Sequence, residues 1–225
     1  MRQAQSLSGA DGHYLIRLFN GGVLTTRTVV IATGAAYRRL GIPRLEDLQG
    51  RGVFYGAAAG EAPAMRGRNV FVAGGGNSAG QAALHLAKWA GQVTILVRAE
   101  SLADSMSDYL IRQIGAAPNL DARYQVQVAE GTGTGHLETL VLQDTASGAR
   151  RSVPDDALFV LIGSQPRTHW LGQSIERDQW GFILTGADLP DGTGHPPLPL
   201  EKPACPEYSQ PVTCATDRSS GSLPP

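Results

Sequence analysis

The apolar residues between positions 69 and 97 follow the spacing of a strand, a helix and a second strand. Val70, Phe71 and Val72 form an apolar run of the length expected for a buried strand. A predicted helix follows and ends at Gly91, and its apolar residues recur at helical spacing, at Ala79, Ala83, Leu86, Ala87 and Ala90. Residues 93–97, reading VTILV, are apolar on both faces, as in a parallel strand covered by helices. Strand, turn, helix and strand fit within about 30 residues, the size of one βαβ unit.

The residues before this unit predict a hairpin and a crossing between domains. Segments 13–19 and 23–32 are strand-like, and Asn20-Gly21 between them supplies the positive φ angles of a tight turn. The connection through Pro43, Glu46, Asp47 and Gly50 is polar and contains turn residues. We therefore expect a domain boundary near residue 50.

The residues after the βαβ unit predict one helix and a small antiparallel meander. Ser105 or Ser107 is the candidate cap of a helix that ends before Gly115 and in which Met106, Leu110 and Ile114 share an apolar face. The remaining strand-like segments, separated by turn residues, are 124–128, 137–143, 151–153 and a last buried strand at 157–162.

The turn between the first strand and its helix carries the candidate chemistry. Gly74, Gly76 and Ala79 occupy the three positions of a G-x-G-x-x-G/A dinucleotide fingerprint. Their small size permits a tight turn, close approach of a pyrophosphate and close contact between helix and strand. The pyrophosphate would bind at the helix N-terminus, where unpaired N–H groups favour an anion. The alternative is a glycine-rich loop that packs without a ligand.

The end of the second strand favours NADP(H) over NAD(H). NAD sites usually carry Asp or Glu there for the ribose hydroxyls, but this chain has Val97 and Arg98. An arginine matches a 2′-phosphate. Glu100 lies nearby and weakens this preference, and a solvated surface arginine is the alternative interpretation of Arg98.

Composition and charge limit the classes of binding partner that we expect. The formal net charge of the 225-residue chain is −1 and its arginines are scattered, so neither nucleic acid nor an acidic membrane surface is an expected partner. No signal peptide and no transmembrane run is apparent, which predicts a cytoplasmic protein. Cys205 and Cys214 have no zinc-site or redox-pair spacing, and we expect neither a metal site nor a role for these thiols.

Six motifs, in order, resemble the thioredoxin reductase-like branch of the pyridine nucleotide-disulfide oxidoreductases over about residues 10–190. They are VVIATGA with RRLGIP, GRGVFYG, VAGGGNSAG, VTILVR, LFVLIGSQPRT and GFILTG. The resemblance implies an α/β fold in which a Rossmann-like NAD(P)-binding domain with a β-meander is inserted in an FAD-binding domain, here incomplete. It also implies NADPH and FAD as cofactors and a homodimer as the assembly.

The resemblance assigns domains and site residues. The expected domains are a partial FAD-binding domain at 1–50, the NAD(P)H-binding domain at 51–165, the start of the return to the FAD domain at 166–190, and a disordered or aberrant tail at 191–225. Thr33 and Gly34 are expected at the edge of the flavin domain, Gly163 at the start of the return, and Arg98 at the 2′-phosphate. The residues expected at the cofactor's phosphates are Gly74, Gly75, Gly76, Asn77, Ser78 and Ala79.

The chain departs from the family at the redox dithiol. A C-x-x-C pair normally follows a segment like GVFY, but here Gly56, Ala57, Ala58 and Ala59 follow it. Dithiol exchange needs one thiolate to attack and a second thiol to resolve the mixed disulfide. This chain therefore cannot reduce thioredoxin by that route, and no catalytic side chain is predicted. Glu61 is a candidate acid in the vacated place, but an isolated loop glutamate is usually solvated.

The flavin half departs as well. No glycine fingerprint precedes Thr33, and CATDRSSGSLPP stands where a glycine-aspartate segment is expected, so FAD binding by this chain is in doubt. A gene truncated at its start and shifted in frame near its end would explain both.

Two functions follow from these patterns. The first is hydride transfer from NADPH to FAD and on to an acceptor, unidentified from the sequence, other than a C-x-x-C disulfide. The second is a catalytically inactive NADP(H)-binding remnant or regulatory module. In both, a nucleotide cofactor is the expected ligand.

Overall fold

The computed structural model describes residues 2–10, 13–56, 59–173, 175–185, 188–189 and 213–215. The chain divides into two compact units. One combines residues 1–36 with 165–225, and the other, residues 37–164, is inserted between these two segments. The first boundary thus lies earlier than the one expected after residue 50. The expectation for the tail at 191–225 falls outside the described residues, apart from 213–215.

The described residues form fifteen strands, three α-helices and a 3-10 helix. The strands are β1 (Ala4–Ala10), β2 (His13–Leu18), β3 (Val23–Thr26), β4 (Val29–Ile31), β5 (Ala35–Tyr37), β6 (Val53–Tyr55), β7 (Asn69–Ala73), β8 (Gln92–Leu96), β9 (Leu120–Arg123), β10 (Val126–Thr132), β11 (Thr139–Asp144), β12 (Arg150–Pro154), β13 (Ala157–Val160), β14 (Ser164–Pro166) and β15 (Thr213–Ala215). The helices are α1 (Pro43–Glu46), α2 (Asn77–Leu86) and α3 (Asp108–Ala116), and the 3-10 helix is Ala62–Met65.

The inserted unit is built on a five-stranded parallel sheet with the strand order β6-β13-β7-β8-β9. All of β13 and all but the first residue of β7 and β8 are buried, which explains their continuous apolar sequences. The chain leaves β7 toward β8 on one side and returns to β13 on the other. The carboxyl end of β7 is therefore a topological switch point, where open α/β sheets bind their ligands.

The two faces of this sheet are covered differently. Helices α2 and α3 pack on one face, where Leu86 and Leu110 contact the core around Val72 and Ile95. The antiparallel meander β10-β11-β12 and helix α1 pack on the other face, where Leu140 and Leu45 are fully buried. The α/β fold with a Rossmann-like parallel sheet and a β-meander is thereby confirmed.

Several element boundaries differ from those predicted. Helix α2 ends at Leu86, and turns occupy residues 87–89 before Gly91. Helix α3 has Ser107 at its N-cap position, as predicted, but the Ser107 side chain makes no capping hydrogen bond, and Gly115 lies inside the helix. The meander starts at Val126, because the preceding segment forms β9 in the parallel sheet.

The other unit contains a three-stranded antiparallel sheet, β1-β2-β3. The predicted hairpin turn is present: Gly21 has φ +82°, and the Asn20 side chain accepts a hydrogen bond from Gly22 N. The predicted strand at 23–32 is interrupted instead, because Thr26 Oγ1 accepts a hydrogen bond from Thr28 N and ends β3. Strand β1 was not predicted. None of the helices among the described residues is long and apolar enough to cross a bilayer.

Candidate functional site

The glycine turn, residues 74–79, leaves the carboxyl end of β7 at the switch point. Gly74 has φ +149°, a conformation that residues with a Cβ rarely adopt. A Cβ on Gly74 would collide with the carbonyl oxygen of Leu161, just after β13, and would lie 3.0 Å from the Ala79 Cβ. The first and third positions of the fingerprint therefore face each other, and both need small residues. Ala79 is fully buried.

Close packing continues into the first turn of α2. A Cβ on Gly80 would lie 2.9 Å from the Met106 Sδ, and Gly80 N donates to Gly76 O over 3.1 Å. Glycine at this position lets the segment before α3 approach α2. The turn thus has a rigid frame formed by β13 on one side and residues 101–107 on the other.

The N-terminus of α2 is suited to an anion. Gly76 is its N-cap residue, in an extended conformation, and no side chain caps the helix. The first N–H groups of a helix lack intrahelical acceptors and, with the helix dipole, favour negative charge. The Asn77 side chain leaves them uncovered because its oxygen accepts a hydrogen bond from Ser107 N over 2.8 Å. The structure thus fits the pyrophosphate of a dinucleotide at 74–79.

A second hydrogen bond joins the glycine turn to the segment after β8. Ser105 Oγ donates to Gly75 O over 3.0 Å. The sequence predicts the serines at 105 and 107 only as helix caps. Their actual partners lie 30 residues away in the chain, so no local sequence pattern indicates this role.

Arg98 lies two residues beyond the end of β8 and is exposed. Glu100, the residue that weakens the case for a 2′-phosphate, accepts a hydrogen bond from Gln125 Nε2 over 3.1 Å. Among the described residues no carboxylate forms an ion pair with Arg98. The end of β8 therefore offers an unpaired guanidinium to an anion.

Gly163 lies at the same carboxyl edge, three residues beyond β13. It has φ +100°, and its carbonyl oxygen accepts a hydrogen bond from Arg38 N over 3.0 Å. The only atom within 4 Å of a Cβ placed there is Arg38 Cδ, at 3.9 Å. The positive φ angle therefore explains why this position is a glycine.

Thr33 and Gly34 belong to the other unit. Thr33 Oγ1 donates to the Arg167 carbonyl oxygen over 3.0 Å, and Arg167 N donates to Gly34 O. Gly34 has φ +65° with open space where a side chain would be. These two residues lie in the connection between β4 and β5. The described residues of this unit contain no glycine-rich turn before a helix that would fit a flavin pyrophosphate.

At the first position of the expected redox dithiol, the Tyr37 ring lies where a side chain of residue 56 would be. Gly56 has φ +95°, and a Cβ on it would lie 2.5 Å from Cε2 and Cζ of Tyr37. Ala57 and Ala58 are outside the described residues, and Ala59 is exposed. Glu61 is the N-cap residue of the 3-10 helix and does not cap it with its side chain. Tyr37 was not predicted as a site residue, because its contact with Gly56 depends on the fold.

Two ionisable groups, the buried Asp155 and the partly buried Tyr55, have raised pKa values. Burial raises the pKa of the Asp155 carboxyl to about 8, helped by the charge of Asp156 and opposed by a hydrogen bond from Ala157 N. Burial and the hydrogen bond to Glu46 raise the pKa of Tyr55 to about 12. We therefore assign both groups a structural role rather than a catalytic one. The described residues contain no group of three or more His, Cys, Asp or Glu able to hold a metal ion.

Comparison with known proteins gives one family. The family profile described as pyridine nucleotide-disulphide oxidoreductase matches residues 10–192. Alkyl hydroperoxide reductase F of Staphylococcus aureus MRSA252 is 33% identical over 183 residues, which are 81% of this chain and 35% of the relative. Its counterpart in Staphylococcus epidermidis is 32% identical over 187 residues, 83% of this chain and 36% of the relative. The chain thus spans about a third of the length of these relatives.

Solved thioredoxin reductases share the fold. The enzyme of Streptococcus pyogenes MGAS5005 superimposes with a TM-score of 0.71 at 26% identity, over 83% of this chain and 60% of that one. The enzyme of T. acidophilum gives a TM-score of 0.69 at 22% identity, over 84% and 62% of the respective chains.

Proposed function

Because the chain belongs to the pyridine nucleotide-disulphide oxidoreductase family, we propose that it binds NADP(H) at the glycine turn, within an oxidoreductase that passes reducing equivalents through FAD. The observation that carries this proposal is the N-terminus of α2, which no side chain caps and which follows the turn at Gly74. The Leu161 carbonyl leaves room only for glycine at position 74. Such a cradle is what a pyrophosphate requires.

Each residue of the site has a proposed role. Gly74, Gly75 and Gly76 let the backbone approach the pyrophosphate, and the N–H groups of Asn77 and Ser78 donate to it. Ala79 keeps the helix close to β7. Arg98 contacts the 2′-phosphate, since its guanidinium has no carboxylate partner among the described residues. When bound, the nicotinamide supplies a hydride and the flavin accepts it, so no side-chain acid or base is needed.

The electron acceptor in this proposal is something other than a C-x-x-C disulfide. Neither position of the dithiol, residue 56 or residue 59, carries sulfur. The alternative function is a catalytically inactive NADP(H)-binding module. This alternative requires only the nucleotide site at the glycine turn.

Nucleotide titration tests the binding proposal. We expect NADPH to bind more tightly than NADH in isothermal titration calorimetry. Arg98→Ala should weaken NADPH binding about ten- to hundredfold and leave NADH binding nearly unchanged, since a charged hydrogen bond contributes roughly 1.5–3 kcal/mol. Arg112→Ala, on the exposed part of α3, is the matched control because it removes the same charge elsewhere. Equal losses of both nucleotides in Arg98→Ala would reject the 2′-phosphate contact.

A visible absorption spectrum separates the two functions. The protein is incubated with FAD, desalted and then reduced with NADPH under anaerobic conditions. A retained flavin that bleaches on NADPH addition supports the oxidoreductase. A colourless protein that still binds NADPH supports the binding module, and a protein that binds neither cofactor rejects both.

A further inference from the structure

We propose that Tyr37 forms the nicotinamide-side wall of the nucleotide site, with its ring stacked against the nicotinamide. This inference rests on the proposed nucleotide binding at the glycine turn and names the residue that receives the other half of the ligand. The observation behind it is the position of the Tyr37 ring over Gly56, at the carboxyl edge of the parallel sheet.

The strand order fixes the direction in which a dinucleotide must lie. In sites of this kind the end of the second strand, here β8 with Arg98, contacts the adenosine ribose. With the pyrophosphate at the glycine turn after β7, the nicotinamide half must extend the opposite way, across the end of β13 toward β6. Gly74 already abuts Leu161 at the end of β13.

The distance suits a nicotinamide riboside. Two strand spacings separate β7 from β6, or about 10 Å. Gly56 follows β6 and is joined to the end of β13 by the hydrogen bond from its N–H to Val160 O. The Tyr37 ring, resting on Gly56, thus lies about one nucleoside length from the pyrophosphate position.

The Tyr37 side chain is available for contact. It is 47% exposed, and its hydroxyl has no hydrogen-bond partner among the described residues. Gly163 follows β13 at this edge, and among the described atoms only Arg38 Cδ lies within 4 Å of the position that a Cβ on it would take. Tyr37 thus offers an exposed aromatic surface beside the backbone of Gly56. Stacked aromatic pairs contribute beyond simple area burial.

Two ligands that differ in the nicotinamide group test the proposed contact. Dissociation constants are measured by calorimetry for NADP+ and for 2′-phospho-ADP-ribose, which lacks the nicotinamide. For Tyr37→Ala we expect about a fivefold loss of NADP+ affinity and less than about a twofold change for 2′-phospho-ADP-ribose. Tyr37→Phe should keep most of the NADP+ affinity. Tyr109→Ala is the matched control, since Tyr109 is 48% exposed and lies on α3.

The possible results distinguish a failure of the nicotinamide contact from a failure of the proposed nucleotide binding. If both ligands bind the unaltered protein and Tyr37→Ala weakens neither, or weakens both equally, the nicotinamide contact is wrong and nucleotide binding stands. The same holds if 2′-phospho-ADP-ribose already binds as tightly as NADP+. If neither ligand binds the unaltered protein, the proposed function fails and the inference fails with it. Melting temperatures of all variants exclude unfolding as the cause of a loss.

Discussion

The side-chain oxygen of Asn77 accepts a hydrogen bond from the backbone N–H of Ser107, with 2.8 Å between the two atoms. The first residue of α2 is thereby joined to the N-cap residue of α3. This bond turns the asparagine side chain away from the helix N-terminus and holds the segment after β8 beside the glycine turn. It therefore supports the geometry of the candidate anion site without contacting a ligand itself.

Asn77→Ala should weaken nucleotide binding through this positioning effect. The loss of the hydrogen bond should also lower the free energy of unfolding by about 1 kcal/mol. We expect NADPH affinity in calorimetry to fall a few-fold, because residues 101–107 are less firmly held. Asn119→Ala is the control, since Asn119 donates to the carbonyls of Ala87 and Ala90 beyond the other end of α2. It should reduce stability and leave nucleotide affinity unchanged; a comparable loss of affinity would contradict the positioning role.

The contact between Tyr37 and Gly56 predicts an energetic coupling. Gly56→Ala places a Cβ at φ +95° and against the tyrosine ring, which should lower the free energy of unfolding by about 2 kcal/mol. In a Tyr37→Ala background the steric part disappears and the backbone part remains. Urea denaturation of both single variants and the double variant should give a coupling energy of about 1 kcal/mol. Strict additivity would show that the ring moves aside without cost.

The sequence predicts the βαβ unit well because burial alone dictates its pattern. Val70 and Val72 pack on the helix side of the sheet and Phe71 packs on the meander side, so β7 is covered on both faces. The glycine at 74 marks a turn that no other residue fits. Strand β9 was missed because LDAR is short and mixed in polarity, and its neighbour β8 alone places it in the sheet. The Tyr37 ring against Gly56 and the partners of Ser105 and Ser107 depend on contacts between distant segments, for which a single sequence holds no local signal.

Tyr55 should titrate well above the usual range of a tyrosine. Burial and the 2.6 Å hydrogen bond from its hydroxyl to Glu46 Oε1 favour the neutral phenol and raise its pKa to about 12 from 10.0. The neutral form is favoured in the folded state, so this contribution to stability is present below pH 10 and is lost as the pH rises toward 12. The absorbance difference at the phenolate band between the unaltered protein and Tyr55→Phe should therefore titrate near pH 12.

Glu46→Gln serves as the comparison for this titration. It removes the charge that opposes phenolate formation and the carboxylate acceptor, but it keeps the burial of Tyr55. The Tyr55 pKa should then fall and stay above that of an exposed tyrosine. A pKa that is the same in both proteins would assign the whole shift to burial.

The buried carboxyl group of Asp155 predicts that the free energy of unfolding declines as the pH rises. Asp155 is 4% exposed, and its Oδ1 accepts from Ala157 N over 3.1 Å. Its Oδ2 has no hydrogen-bond partner among the residues that the structure describes. Burial raises its pKa to about 8 from 3.8 in the unfolded chain, so the folded protein holds a proton that the unfolded chain releases. The stabilisation is fully present below about pH 4 and is lost progressively as the pH rises to about 8, by several kcal/mol in total.

Urea unfolding of the unaltered protein from about pH 5 to about pH 8 should show this slope. Asp155→Asn should remove most of it whatever its absolute stability, because the amide cannot ionise. Asp156→Asn, which removes the neighbouring charge and leaves the buried acid, should keep most of the slope. An unchanged slope in Asp155→Asn would show that another group is responsible.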